Sequence, residues 1–342
     1  MKIARAFRDG MRRVNGATAI LAGVYLVTVL LSLPLAAALR GMIEDHLGHS
    51  LAAEPAAHSV NYDWWQEFSS QAVGLGATFV PSIVGFGATL RNLSDLMDNR
   101  SLPTVVAGAA GAYLVVWAFF VGGILDRYAR QRPTRTAAFF SACGVFFFRF
   151  LRLGVIAWLV YFVLFGYVHG WLFDGLYRSV TRDFAVERNA FAVRAALYAV
   201  FGLLLVLVNL VFDYAKVRAI VEDRRSMLGA LRAALRFIAR HPGATLGLYA
   251  TTGILFLIVV ALYALVAPGV WSTGWSLWRG FLIGQAYVVA RLWVKLLFYA
   301  SETSLFQAEL AHAGYTAAPV PAWPDSPAAE AIANAGPMGR AF

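Results

Sequence analysis

Six stretches of this chain are too long and too apolar to be folded in water: 17–39, 103–125, 151–173, 191–213, 244–267 and 279–300. About 20 mostly apolar residues, wound as a helix, cross the ~30 Å of hydrocarbon in a bilayer. A helix satisfies its own backbone hydrogen bonds, which lipid cannot do, so each run reads as a membrane-spanning helix. Composition agrees. The chain is 60% hydrophobic and only 14% charged, whereas soluble domains carry about a quarter charged residues. The first run resembles a signal peptide, with Lys2, Arg5, Arg8, Arg12 and Arg13 before it and Ala36-Ala37-Ala38 near its end. It exceeds the usual 7–15-residue signal core and is read as an uncleaved first helix.

Charge orients the spans. The net charge of +10 is not spread along a soluble face, and no nucleic-acid module accompanies it, so nucleic acid is not a partner. Instead the arginines sit in alternate connecting segments. Residues 126–136 hold Arg127, Arg130, Arg132 and Arg135 against Asp126, and 214–243 hold Lys216 and six arginines against Glu222 and Asp223. The intervening segments differ: 40–102 is acidic, 174–190 is balanced and 268–278 is uncharged. Basic loops stay in the cytoplasm, which puts both termini inside a bacterial inner membrane. Trp64, Trp65, Trp271, Trp275 and Trp278 would then form an outer aromatic belt.

Residues 72–90, AVGLGATFVPSIVGFGATL, are long enough to span, but a seventh span would turn Arg127–Arg135 outward. Two glycine-rich GAT segments flank Pro81, and glycine and proline break helices. The segment is therefore read as two short helices meeting near Pro81, interfacial or re-entrant from outside. A repeat is also visible. Aligning Gly16-Ala17-Thr18 with Gly243-Ala244-Thr245 sets Arg5 on Arg232 and Arg13 on Arg240, and a looser third copy covers 137–152. Each unit predicts a basic amphipathic elbow helix on the anionic inner leaflet, followed by a hairpin of spans.

The fold class expected is an all-α integral membrane protein of six transmembrane helices in three hairpins, with cytoplasmic elbow helices and the outer segment at 40–102. Residues 1–16 form the first basic segment, 17–310 one membrane domain, and 311–342 an Ala/Pro-rich cytoplasmic tail without apolar periodicity, read as disordered. The elbow-plus-hairpin pattern, including FDYAKVRAIVEDRRSMLGALRAALRF at 212–237, loosely resembles uncharacterised bacterial multi-pass families related to the membrane domain found beside glycerophosphodiester phosphodiesterases. That resemblance implies a helical membrane domain; it carries no catalytic motif and no functional residue.

Chemistry is sparse. His46 and His49 have a metal-like spacing beside Glu44 and Asp45, with His58 further on, but spacing fixes no further ligand and the stretch reads as a polar loop. Cys143 stands alone in a Phe-rich run as a small buried hydrophobe. No nucleophile elbow or P-loop is present, and no cofactor or metal is called for. Gly108, Gly111 and Ala112 predict a small-residue packing face on the second span. The residues that a purely structural span does not explain are Arg291 and Lys295, a turn apart and deep in the last run. Charges there cost several kcal/mol unless paired. Gln285 lies near them on the wheel, and Asn209 and Asp213 of the fourth span are the expected partners.

Two functions suit these features. One is a membrane-embedded scaffold or accessory subunit docking proteins through an exposed Trp64-Trp65 pair and the outer segment around Pro81. The other is a transporter or lipid-handling protein with a polar pocket at Arg291 and Lys295. Membrane lipids, including anionic inner-leaflet lipids, are partners in either case.

Overall fold

The computed structural model describes residues 2–48, 50–81, 83, 85–131, 134–267 and 274–310. The 311–342 tail, Trp271 and His49 lie outside them, and with them the tail's expected disorder and part of the histidine spacing. The described residues are helical, without a strand: α1 (Lys2–Asn15), α2 (Thr18–Leu47), α3 (Ala53–His58), α4 (Tyr62–Gln71), α5 (Phe86–Met97), α6 (Thr104–Arg130), α7 (Thr136–Val163), α8 (Tyr177–Thr181), α9 (Glu187–Val221), α10 (Met227–Arg240), α11 (Pro242–Val266) and α12 (Trp275–Glu309). Two wide-turn π segments, Leu164–Val168 and Trp171–Leu176, carry α7 on into α8. Six helical stretches are long and apolar enough to cross a membrane: α2, α6, α7 through α8, α9, α11 and α12. They coincide with the six runs of the sequence, but most extend further.

The described residues of 72–90 form no spanning helix. A 3-10 turn at Gly76–Thr78 is followed by non-helical chain at 79–81, Pro81 included, and α5 starts only at Phe86. Gly85 precedes it at φ 59° and ψ −125°, a conformation closed to side chains with a Cβ. Among the described residues, one short turn and one helix thus stand where two helices were expected.

The core lies toward one end of the bundle. The last turns of α6, the second half of α9 and residues 292–307 of α12 are buried almost continuously, while α2 buries only Val24. Leucines elsewhere on the spans are exposed (Leu30, Leu33, Leu257 and Leu262 among them), which costs nothing where lipid is as apolar as leucine. The basic segments converge at the core end. Arg13 donates to Tyr128 O (2.9 Å) and to Gln307 Oε1 (2.8 Å), Arg127 donates to Gly16 O (3.3 Å), and Arg149 pairs with Asp223 (2.6 Å).

Helix α1 is packed into this core. Its Ala6, Gly10 and Val14 stripe is buried, and a Cβ on Gly10 would fall 2.8 Å from Ser301 of α12, so the two backbones touch. Helix α10 likewise buries Met227, Ala230, Ala234 and Phe237 and packs on α9. Each short helix turns into a long one through a similar backbone kink: Ala17 at φ −139°, ψ 45° and His241 at φ −129°, ψ 46°. That equivalence corrects the sequence register by three residues, so Phe237 and not Arg240 stands where Arg13 does. The third copy has no such kink, because α7 runs unbroken from Thr136. Its first turns are mostly apolar and pack on α6.

The small-residue contact on α6 is also displaced. Nothing lies within 4 Å of where a Cβ on Gly108 or Gly111 would sit, whereas one on Gly123 would meet Cys143 Sγ at 2.6 Å. Glycines 122 and 123 are the ones that let α7 approach.

Candidate functional site

Helix α9 stays helical past the end of the apolar run, to Val221, and that extension decides the polar chemistry. Lys216, which the sequence places in a loop, comes onto the same helical face as Asp213, three residues earlier. Its Nζ donates to Asp213 Oδ1 at 2.8 Å, with the two side chains 23% and 14% exposed. The same Nζ reaches the Tyr299 hydroxyl of α12 at 3.4 Å, and that hydroxyl also accepts from Trp117 Nε1 of α6 at 3.2 Å. Three helices are thereby joined through one phenol.

Asp213 therefore has its ion pair with Lys216, where the sequence suggests Lys295. Lys295 takes a different partner: its Nζ lies 3.5 Å from the centroid of the Trp117 ring and 5.5 Å from that of Tyr113. A ring face carries negative quadrupole density, so it compensates a cation without a carboxylate. Arg291 is exposed on the outside of α12 and makes no hydrogen bond or ion pair among the described residues. Gln285 is held away from both by accepting from Tyr25 of α2 (2.9 Å). Asn209 accepts from Tyr161 of α7 (2.9 Å). The five sequence candidates are thus divided among separate environments, and only Asp213, Lys295 and Asn209 border one region.

Glu302, a turn below Tyr299, is 1% exposed, and neither of its oxygens has a hydrogen-bond partner among the described residues. No sequence signal singled out Trp117, Tyr161, Tyr299 or Glu302. Lys216 had one, its three-residue spacing from Asp213.

Beside this network, α6, α7 and α9 leave a cavity of about 530 Å³. Its walls are apolar (Leu114, Val121, Phe150, Leu153, Ala157, Trp158), and its polar groups come from Tyr161, Asn209 and Lys216. Asn209 faces this space, and its amide nitrogen makes no hydrogen bond among the described residues. The cavity can thus shelter an apolar chain while offering hydrogen bonds at one place.

Of the tryptophans expected in a belt, Trp275 and Trp278 are exposed, whereas Trp64 and Trp65 are engaged within the protein. Trp64 is 6% exposed, donates to His46 Nδ1 (3.0 Å) and stacks on Phe68, while Trp65 donates to Phe79 O (3.0 Å). Asn61 caps α4 by accepting from Trp64 N, and Phe79 closes the cluster from the chain just before Pro81. Pro81 lies in the following turn. His46 is occupied by this contact, and no group of three or more potential metal ligands occurs among the described residues.

On the core side, burial pushes the Glu222 carboxyl up, but Arg218 and Arg224, both hydrogen-bonded to it, outweigh that and hold it below the usual carboxylate range. Comparison of the chain with protein-family models, curated proteins and solved structures finds no match.

Proposed function

We propose that this protein handles an amphiphilic lipid within the bilayer, its apolar part lying in the α6–α7–α9 cavity and its polar end meeting Asn209 and Lys216. One observation carries the reading: a 530 Å³ apolar space with hydrogen-bonding groups concentrated at Tyr161, Asn209 and Lys216. Such a site matches the general form of a ligand pocket, mostly apolar with a few placed polar groups. Because Lys216 is already neutralised by Asp213, the head group suited here is uncharged or only weakly acidic. The pocket is centred on Lys216, not on Arg291 and Lys295.

The scaffold alternative loses its main support, since Trp64 and Trp65 are taken up by His46, Phe68 and Phe79. We place the protein in a bacterial inner membrane with both termini cytoplasmic and α1 and α10 as elbow helices along the inner leaflet. The convergence of Arg13, Arg127 and Arg149 at one end of the bundle supports that orientation. The loose resemblance of the elbow-plus-hairpin pattern, 212–237 included, to the membrane domain found beside glycerophosphodiester phosphodiesterases stays part of this proposal.

The test is mass spectrometry of the organic extract of detergent-purified protein. A stoichiometric amphiphile with an uncharged or only weakly acidic head group should be retained by the wild type and lost in Gly154→Trp, whose new side chain points into open space in the cavity wall. A wild type that carries no such molecule, or a variant that keeps it, refutes the reading. Stoichiometric copurification of another protein instead of lipid would restore the scaffold.

A further inference from the structure

A second cavity, of about 420 Å³, lies on the other side of the α6–α7 pair, against α2 at the core end. One wall is Ile20, Gly23 and Val24 of α2, and the other is Phe120 with Phe139 and Phe140. Arg127 enters from the last turn of α6, with the hydroxyl-bearing Thr134 and Thr136 beside it. Among the described residues, no carboxylate lines the space. The neighbouring Asp126 is engaged by Arg130 at 2.7 Å, and among the described residues Arg127 donates only to Gly16 O, at 3.3 Å.

A guanidinium has five donors in a planar fork that matches the oxygens of a phosphate, and among the described residues Arg127 uses one of them. We infer that this cavity binds an acidic glycerophospholipid of the inner leaflet, its phosphate on Arg127 and one acyl chain along the α2–α6–α7 walls. Charge complementarity selects the occupant. An ammonium-bearing head group would set a second cation beside Arg127 with no carboxylate in the lining to receive it. A lipid of net negative charge meets no such cost. The two helices that begin at the cavity, α2 at Thr18 and α7 at Thr136, add the partial positive charge of their first turns to that of the arginine. The site is independent of the α6–α7–α9 cavity, since the two share no lining residue.

The experiment is native mass spectrometry of the full chain equilibrated in micelles holding equimolar phosphatidylglycerol and phosphatidylcholine. The wild type should retain phosphatidylglycerol in preference. Arg127→Gln should lower that retention about tenfold, as expected for losing a charge-assisted contact. Arg8→Gln, on the exposed face of α1, should leave it within about twofold. Gly23→Phe, which fills the cavity from a position with nothing within 4 Å of the added Cβ, should lower it without touching the charge. Gly154→Trp should leave it unchanged, so failure of the first cavity and failure of this one are distinguishable. Undiminished preference in both Arg127→Gln and Gly23→Phe overturns the inference. Displacement of the lipid by millimolar inorganic phosphate also overturns it, assigning Arg127 to a soluble anion.

Discussion

Replacing Asp213 with Asn separates two accounts of how the deep lysines are neutralised. In the structure the carboxylate lies 2.8 Å from Lys216 Nζ, and both side chains are mostly buried. Removing one member of a buried pair typically costs about 3–5 kcal/mol, because the other charge is left uncompensated. Here Lys216 keeps the Tyr299 hydroxyl at 3.4 Å and its ring at 5.3 Å. These retain about 1 kcal/mol as a hydrogen bond and about 0.5–1 kcal/mol as a cation–π contact. Asp213→Asn should therefore destabilise the protein by about 2–3 kcal/mol, read by tryptophan fluorescence during SDS titration of the purified protein. Asp213→Asn/Lys216→Met should recover at least half of that loss, with a coupling of about 1.5 kcal/mol or more. The parallel cycle with Lys295→Met should show less than about 0.5 kcal/mol, because that ammonium lies on the Trp117 ring. A coupling larger to Lys295 than to Lys216 would refute the reasoning and return Asp213 to the last helix.

Gly123→Leu should destabilise by about 1–3 kcal/mol through the clash with Cys143, while Gly108→Leu, facing open space, stays within about 0.5 kcal/mol in the same titration. Trp64→Ala should cost about 3–5 kcal/mol by emptying the aromatic cluster of Trp64, Phe68 and Phe79, and Trp64→Phe only about 1 kcal/mol, the His46 hydrogen bond. Because the folded Glu222 carboxyl lies below its ordinary value of 4.5, its contribution is full above that value and fades as pH falls through the lower folded one. Glu222→Gln should therefore flatten the acid limb of a stability–pH curve, and an unchanged limb would assign the loss to other groups. Reporter fusions at Thr134 and Met227 should read cytoplasmic and those at Ala56 and Asp183 external; an external reading at Thr134 would overturn the proposed orientation.

The six long helices were legible in the sequence because an apolar run of that length has one way to satisfy its backbone in lipid. The interruption of 72–90 was legible for a related reason: Gly74, Gly76, Gly85, Gly87 and Pro81 discourage a helix whatever surrounds them. These are local constraints. What a side chain touches is a different matter, since it depends on how each helix is rotated and where it ends. The apolar run stopped at residue 213, so Lys216 read as a loop residue until α9 was seen to continue to Val221. Glycines 108 and 111 and glycines 122 and 123 look alike in sequence, and only the seating of α7 shows that the second pair makes the contact. Trp64 suited an exposed belt until His46, from the end of α2, supplied the acceptor that draws it inward. In lipid, turning a leucine face outward carries no hydrophobic penalty, so apolar patterning does not define which face packs. The tertiary structure decides that through close backbone contacts such as Gly10 on Ser301 and through shared polar groups such as the Tyr299 hydroxyl.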